Sequence, residues 1–173
     1  MIRPVITYPA RILKAIAVPV GAIGEAERAL AADLVGTMRA SPGCVGLAAP
    51  QVGVALRAFA LDLSLMRRPH PNHGLVVMFD PEVLLAEGSR IEREGCLSVP
   101  DYTCDVRRAT AVVVRGTTPE GLLRVVEAEG LEARAFQHEL DHLDARLILD
   151  RVASARTDVF RRKRYAAGGE HLR

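Results

Sequence analysis

Gln137-His138-Glu139-Leu140-Asp141-His142 is the stretch that decides how this chain is read. Its two histidines stand four residues apart. At about 3.6 residues per helical turn they fall one turn apart on a single helix face. Two imidazoles so placed can share one metal ion, and Glu139 beside them can reach a water on that ion. The surrounding residues predict a helix over 131–147. Phe136, Leu140, Leu143 and Leu147 make one apolar row, and Leu131, Ala135, His138 and His142 run beside it. The histidines therefore border the buried face, and a metal there sits inside the domain.

A metal site that performs chemistry takes three protein ligands and keeps one position for water. Cys96 is the best third candidate, because a thiolate suits soft or borderline metals and Gly95 removes bulk next to it. Asp141 and Asp144 are carboxylate alternatives. Asp141 projects to another face of the helix, which suits a supporting contact or a salt bridge better.

Upstream, Ala26, Leu30, Leu34 and Met38 recur every four residues, so Glu25–Arg39 reads as an amphipathic helix that Ser41-Pro42-Gly43 ends. Residues 1–24 read as an extended arm with one helical turn near Ala10–Lys14. The small, apolar run Cys44 to Gly53 reads as a tight packed loop with Gln51 as its only long polar side chain. Strands are expected at Arg57–Leu63, Leu75–Phe79 and Val83–Glu87, with Asp80-Pro81 ending the second. Ala109–Arg115 and Leu122–Ala128 flank the turn signal Thr118-Pro119-Glu120-Gly121 and read as a hairpin.

The 173 residues suit one catalytic domain over 1–173, with a short basic tail from about residue 151. Hydrophobic residues at 49% and charged residues at 25% exclude a disordered chain. A net charge of +2 is too small to argue for DNA, and no apolar run reaches the roughly 18 residues that cross a membrane. Lys14 and Pro19 interrupt the apolar segment Ile12–Gly24, which does not read as a signal peptide. Three cysteines, an odd and sparse count, fit a reducing cytoplasm.

Three motifs carry a resemblance to the peptide deformylases. Cys44 to Gln51 matches Gly-x-Gly-Leu-Ala-Ala-x-Gln apart from Cys44 at the first glycine. Glu94 to Ser98 matches Glu-Gly-Cys-Leu-Ser without change. Gln137 to Ala145 matches Gln-His-Glu-x-Asp-His-Leu-x-Gly apart from Ala145 at the last glycine. The similarity covers the chain to about Asp150. Cys44 is expected as a buried apolar cysteine, and Ala145 as a residue that affects helix packing.

The resemblance implies an α+β fold, with small antiparallel sheets packed around the C-terminal helix, and a monomer. It implies Cys96, His138 and His142 as ligands of one divalent ion, with Fe²⁺ favoured and Zn²⁺, Ni²⁺ or Co²⁺ also accepted. Glu139 is then the base, and Gln51 and the Leu97 backbone N–H stabilise an oxyanion. The substrate is an N-formylmethionyl nascent peptide, and formate is released. Val45, Gly46 and Gly95 offer backbone groups to it. Val45, Leu131, Ala135 and the stem of Arg134 line the methionine pocket, with the Arg134 head in solvent. The basic run Phe160–Arg164 can touch ribosomal RNA. The helix motif alone also fits a zinc peptidase cutting internal bonds, but Gly-Cys-Leu and the Gln51 loop speak against that.

Overall fold

Alternation along the central strands builds a sheet with two buried faces. In the computed structural model, which describes residues 1–162, strand β2 (Ala58–Leu61) turns Phe59 and Leu61 to one side and Ala58 and Ala60 to the other. It pairs antiparallel with β1 (Gly46–Ala48) and β3 (Val76–Glu87). β6 (Ala111–Thr117) and β7 (Leu123–Glu129) follow, so the sheet runs β1-β2-β3-β6-β7. A second sheet joins β4 (Arg90–Cys96), β5 (Val99–Arg108) and β8 (Val159–Arg161) in the order β4-β5-β8.

Helix α1 (Glu25–Ala40) covers one face of the larger sheet with Leu30, Leu34 and Met38. Its start is fixed by the Glu27 carboxylate, which accepts the Gly24 N–H at 2.8 Å. Helix α2 (Gly130–Leu143) covers the other face. Phe136, Leu140 and Leu143 meet Phe59, Leu61, Met78 and Val114, and the Phe59 and Phe136 rings pack edge to face at 5.7 Å. A third apolar cluster under the small sheet contains Leu13, Val99, Cys104, Val106, Leu147 and Ile148. The expected α+β arrangement around the C-terminal helix is what the chain adopts.

Several expectations need correction. The run after Cys44 is not all loop, because Gly46–Ala48 forms a strand on β2. Asp80-Pro81 does not end a strand. β3 runs through it as one bulged strand, with register shifts between Phe79 and Glu82. Asp80 sits in the left-handed region at φ 47°, and its carboxylate accepts the Val20 and Gly21 N–H groups at 2.8 Å each. A bulge is also where a proline without N–H is tolerated.

The hairpin β4–β5 was not anticipated, since charged residues fill its outward positions. Helix α2 stops at Leu143, a turn before Leu147. Ala145 is the reason: it adopts φ 59°, the left-handed conformation that closes helices and favours glycine. Ala145 thus governs helix termination and not side-chain packing. The basic segment from residue 151 is built into the fold as far as Arg162. It contains the short helix α3 (Ala155–Asp158) and then β8, which pairs with β5. Lys163 and Arg164 lie outside the described residues.

Candidate active site

The site forms where α2 faces the end of β4 and the stretch Cys44–Gln51. Gly130, at φ 55°, turns the chain from β7 into α2. That helix then carries His138 and His142 on successive turns, with ring centroids 5.1 Å apart. Cys96 comes from β4, where a register shift between Gly95 and Cys96 turns its side chain inward. Its Sγ lies 3.3 Å from His142 Nε2, and the ligand atoms of Cys96, His138 and His142 all fall within 4.8 Å of one another. Bonds of about 2.1 and 2.3 Å at tetrahedral angles place donor atoms roughly 3.5 Å apart, so the set fits one ion.

Supporting contacts point these groups. Glu94 Oε2 is 3.1 Å from His138 Nδ1, which leaves Nε2 for the shared centre. Glu94 is itself held by Arg108 Nε and Nη2 at 3.0 Å each and by Arg134 Nη2 at 3.0 Å. Arg108 continues to Asp141, and Arg151 Nε donates to Asp141 at 2.9 Å. Asp141 is thus the salt-bridge partner anticipated for it, and no metal ligand. Burial pushes the Glu94 carboxyl up, but His138 and Arg108 outweigh it and bring it down to about 2. Burial also favours the neutral Cys96 thiol, and the imidazoles of His142 and His138 reverse that, taking it well below its ordinary value.

Glu139 is buried and opens toward the cleft. Burial raises its carboxyl to about 7, against the pull of His138 and His142. Among the described residues, its Oε2 and the His142 Nδ1 are buried without a hydrogen-bond partner. Gly46 faces it closely: a Cβ there would lie 2.8 Å from Glu139 Cδ. Gln51 is locked from behind. Its Oε1 accepts the Ala48 N–H at 2.9 Å, which turns Nε2 toward Ser98 Oγ at 3.1 Å and Cys96 Sγ at 3.6 Å. The N-terminal arm ties both walls together. Ile6 N–H donates to Gln51 O at 2.8 Å, and Ser98 Oγ donates to Ile6 O at 2.7 Å.

A cleft of about 240 Å³ brings the anticipated residues together. Val45, Gly46 and Gln51 form one wall, Gly95, Cys96 and Leu97 the other, and Leu131, Arg134, Ala135, His138 and Glu139 the floor. His142 lies behind this lining, against Cys96. Arg134 departs from expectation: its head does not reach solvent but pairs with Glu92 and Glu94, because the β4–β5 hairpin covers it. Cys44 is buried, as anticipated. Its thiol donates to Gly46 O at 3.0 Å, and burial pushes it up to about 12.

Reading the sequence missed the roles of Glu94, Ser98 and Arg108, and it missed Arg162 at the cleft mouth. Glu94 and Ser98 stood inside a quoted motif, but only the fold shows what they hold.

Two imidazoles, a thiol and a buried carboxylate gathered on an α+β scaffold define the class: a site of the metal-dependent hydrolase kind. The comparisons with known proteins then narrow it. Residues 2–158 match the family model described as polypeptide deformylase, and the chain belongs to that family. The peptide deformylase of Syntrophobacter fumaroxidans is 43% identical over 162 residues, covering 94% of this chain and 93% of the relative. That of Desulfosudis oleivorans is 44% identical over 160 residues, covering 92% and 90%. Among solved structures, the Acinetobacter baumannii class I type b peptide deformylase with Met-Ala-Ser bound superposes with a TM-score of 0.80 at 35% identity, covering 88% of this chain and 99% of that one. The Legionella pneumophila peptide deformylase gives 0.80 at 35%, covering 88% and 87%.

Proposed function

We propose that this chain hydrolyses the formyl amide at the N-terminus of formylmethionyl nascent peptides, leaving formate and a free N-terminal methionine. The observation that carries this reading is the buried Glu139 carboxylate, whose Oε2 has no hydrogen-bond partner among the described residues, beside the Cys96, His138 and His142 set in the cleft. The Met-Ala-Ser complex of the Acinetobacter relative supports the same class of ligand.

Cys96, His138 and His142 would hold a divalent ion, which would supply Lewis acidity toward the attacking water and the formyl oxygen. Glu139 takes the proton from that water and passes it to the leaving amine. A carboxyl near 7 suits both transfers at neutral pH. The Gln51 amide, pre-aimed by Ala48, and the Leu97 backbone N–H donate to the oxyanion; one such donor contributes roughly 3 kcal/mol. Val45, Gly46 and Gly95 align the peptide as an added strand. Leu131, Ala135, Val45 and the stem of Arg134 receive the methionine side chain. Gly46 leaves Glu139 the room it needs.

The ion is Fe²⁺, the protein acts as a monomer in the cytoplasm, and the basic run Phe160–Arg164 offers a salt-sensitive contact to ribosomal RNA. Formate release is the decisive assay, with anaerobically prepared, metal-analysed protein. Formyl-Met-Ala-Ser is expected to yield formate, and blocked unformylated peptides are expected to remain intact. Glu139→Ala should lower kcat by at least about 10²-fold with the metal still bound. Cleavage of the unformylated peptides would instead identify an internal peptidase.

A further inference from the structure

The mouth of the cleft carries a cation that no part of the proposed chemistry uses. β8 adds to the edge of β5, with Tyr102 opposite Arg161, and the next residue continues that pairing: Arg162 N–H donates to Asp101 O at 2.8 Å. The strand is pinned further by Phe160, whose ring lies under the Arg93 guanidinium at 3.4 Å. This placement swings the Arg162 side chain over the cleft wall. Its guanidinium occupies the space above Gly95, where a Cβ would lie 3.2 Å from Arg162 Cζ and overlap Nη2. The glycine next to the cysteine ligand thus makes room for an arginine delivered from the chain's far end.

The other arginines around the cleft are neutralised. Arg134 pairs with Glu92 and Glu94, and Arg93 pairs with Asp105. Arg162 is exposed, lines the cleft, and forms no ion pair among the described residues. A peptide laid along Gly95 with its first residue at Glu139 advances about 3.3 Å per residue. An arginine anchored beside Gly95 therefore meets the second or third residue of that peptide, beyond the reacting bond. A planar guanidinium at that place is suited to a carboxylate.

We propose that Arg162 is a specificity-determining residue that recognises a carboxylate on the substrate chain just downstream of the formylmethionine. That carboxylate is an acidic side chain at the second or third residue, or the terminal carboxylate of a short peptide. The inference rests on the deformylase reading, and its test separates the two.

The test compares kcat/KM for amidated formyl-Met peptides carrying Asp, Ala or Lys at the second or the third residue, at low and high salt. A further pair, formyl-Met-Ala-Ser as free acid and as amide, separates a side-chain source from a terminal one. The wild type is expected to favour a carboxylate over lysine at one of these places by about 3- to 10-fold, less at high salt. Arg162→Gln should bring that ratio to about one, and Arg162→Lys should keep part of it. Arg161→Gln removes an equal charge from the same strand and should leave the ratio alone. An unchanged ratio in Arg162→Gln, or an equal drop in Arg161→Gln, overturns the proposal. Binding of the product-like amides Met-Asp-Ala and Met-Ala-Asp, of their lysine counterparts, and of Met-Ala-Ser as free acid and as amide to the same variants reads Arg162 without turnover. If no formyl peptide is hydrolysed yet the acidic peptide still binds better through Arg162, the deformylase reading fails and the recognition stands. No preference in that binding overturns the recognition itself.

Discussion

The two sides of helix α2 treat their polar groups in opposite ways. On the back, Arg108, Asp141, Glu94 and Arg151 form a closed set in which each charge has a partner. On the front, Glu139 Oε2 and His142 Nδ1 are buried without one among the described residues, and glycines stand where side chains would press in. Both sides desolvate charge, which costs several kcal/mol per ion unless it is compensated. The back compensates within the protein and so fixes the ligand helix against the β4–β5 hairpin. The front leaves its groups for a ligand to complete. Position 94 joins the two regimes, since one carboxylate takes Arg108 from the back and His138 from the front.

Breaking the back should have the largest effect on the whole protein. Arg108→Ala takes the shared cation from two buried carboxylates, leaving Glu94 with Arg134 and His138 and Asp141 with Arg151, and is expected to cost about 3 kcal/mol in urea unfolding. A loss under about 1 kcal/mol would mean that the back is no more than a solvated cluster. Breaking the front should leave the fold standing. Gly46→Ala puts a methyl group into the Glu139 carboxylate and is expected to lower kcat by about 10²-fold at unchanged metal content and with a melting temperature near wild type. If activity survives, Glu139 has room that its packing does not suggest.

The front was the legible side. Helical spacing placed His138, Glu139 and His142 together, and Cys96 and Gln51 stood out as lone polar or thiol groups in small, apolar runs. The back was not legible, because its pairs depend on strand register. Glu94 meets Arg108 only because β4 folds onto β5, and alternating charges disguised that hairpin. The same reason hid Arg162, which reaches Gly95 only after β8 pairs with β5. Regularity was overread in two places. The apolar row extended to Leu147, so the helix seemed longer than it is, and Pro81 seemed to break a strand that a bulge carries through.

Glu94→Gln tests the join. The amide cannot hold His138 and Arg108 as a shared carboxylate does, so the imidazole loses its fixed orientation. Metal affinity measured by chelator competition should fall about 10- to 100-fold. Stability should fall less than in Arg108→Ala, because the change removes a buried charge and leaves Arg108 with Asp141 and Arg134 with Glu92. An unchanged affinity would separate the two faces and show that the back supports the fold alone.

The smallest expected effect lies at the end of the shared helix. Asp144 N–H donates to Leu140 O at 3.1 Å and Arg146 N–H to Asp141 O at 2.8 Å, bonds that close α2 around Ala145 at φ 59°. An alanine held there costs about 1–2 kcal/mol relative to glycine. Glycine returns about 0.4–1 kcal/mol of that through the greater freedom of the unfolded chain. Ala145→Gly should therefore stabilise the protein by about 0.5–1 kcal/mol, seen as a rise of roughly 1–4 °C in Tm. Position 145 lines neither the cleft nor the Arg108 cluster, so kcat and metal affinity should stay at wild-type values. A gain in stability accompanied by a change in either would show that the closing turn sets the position of His142, and the two faces would then share more than Glu94.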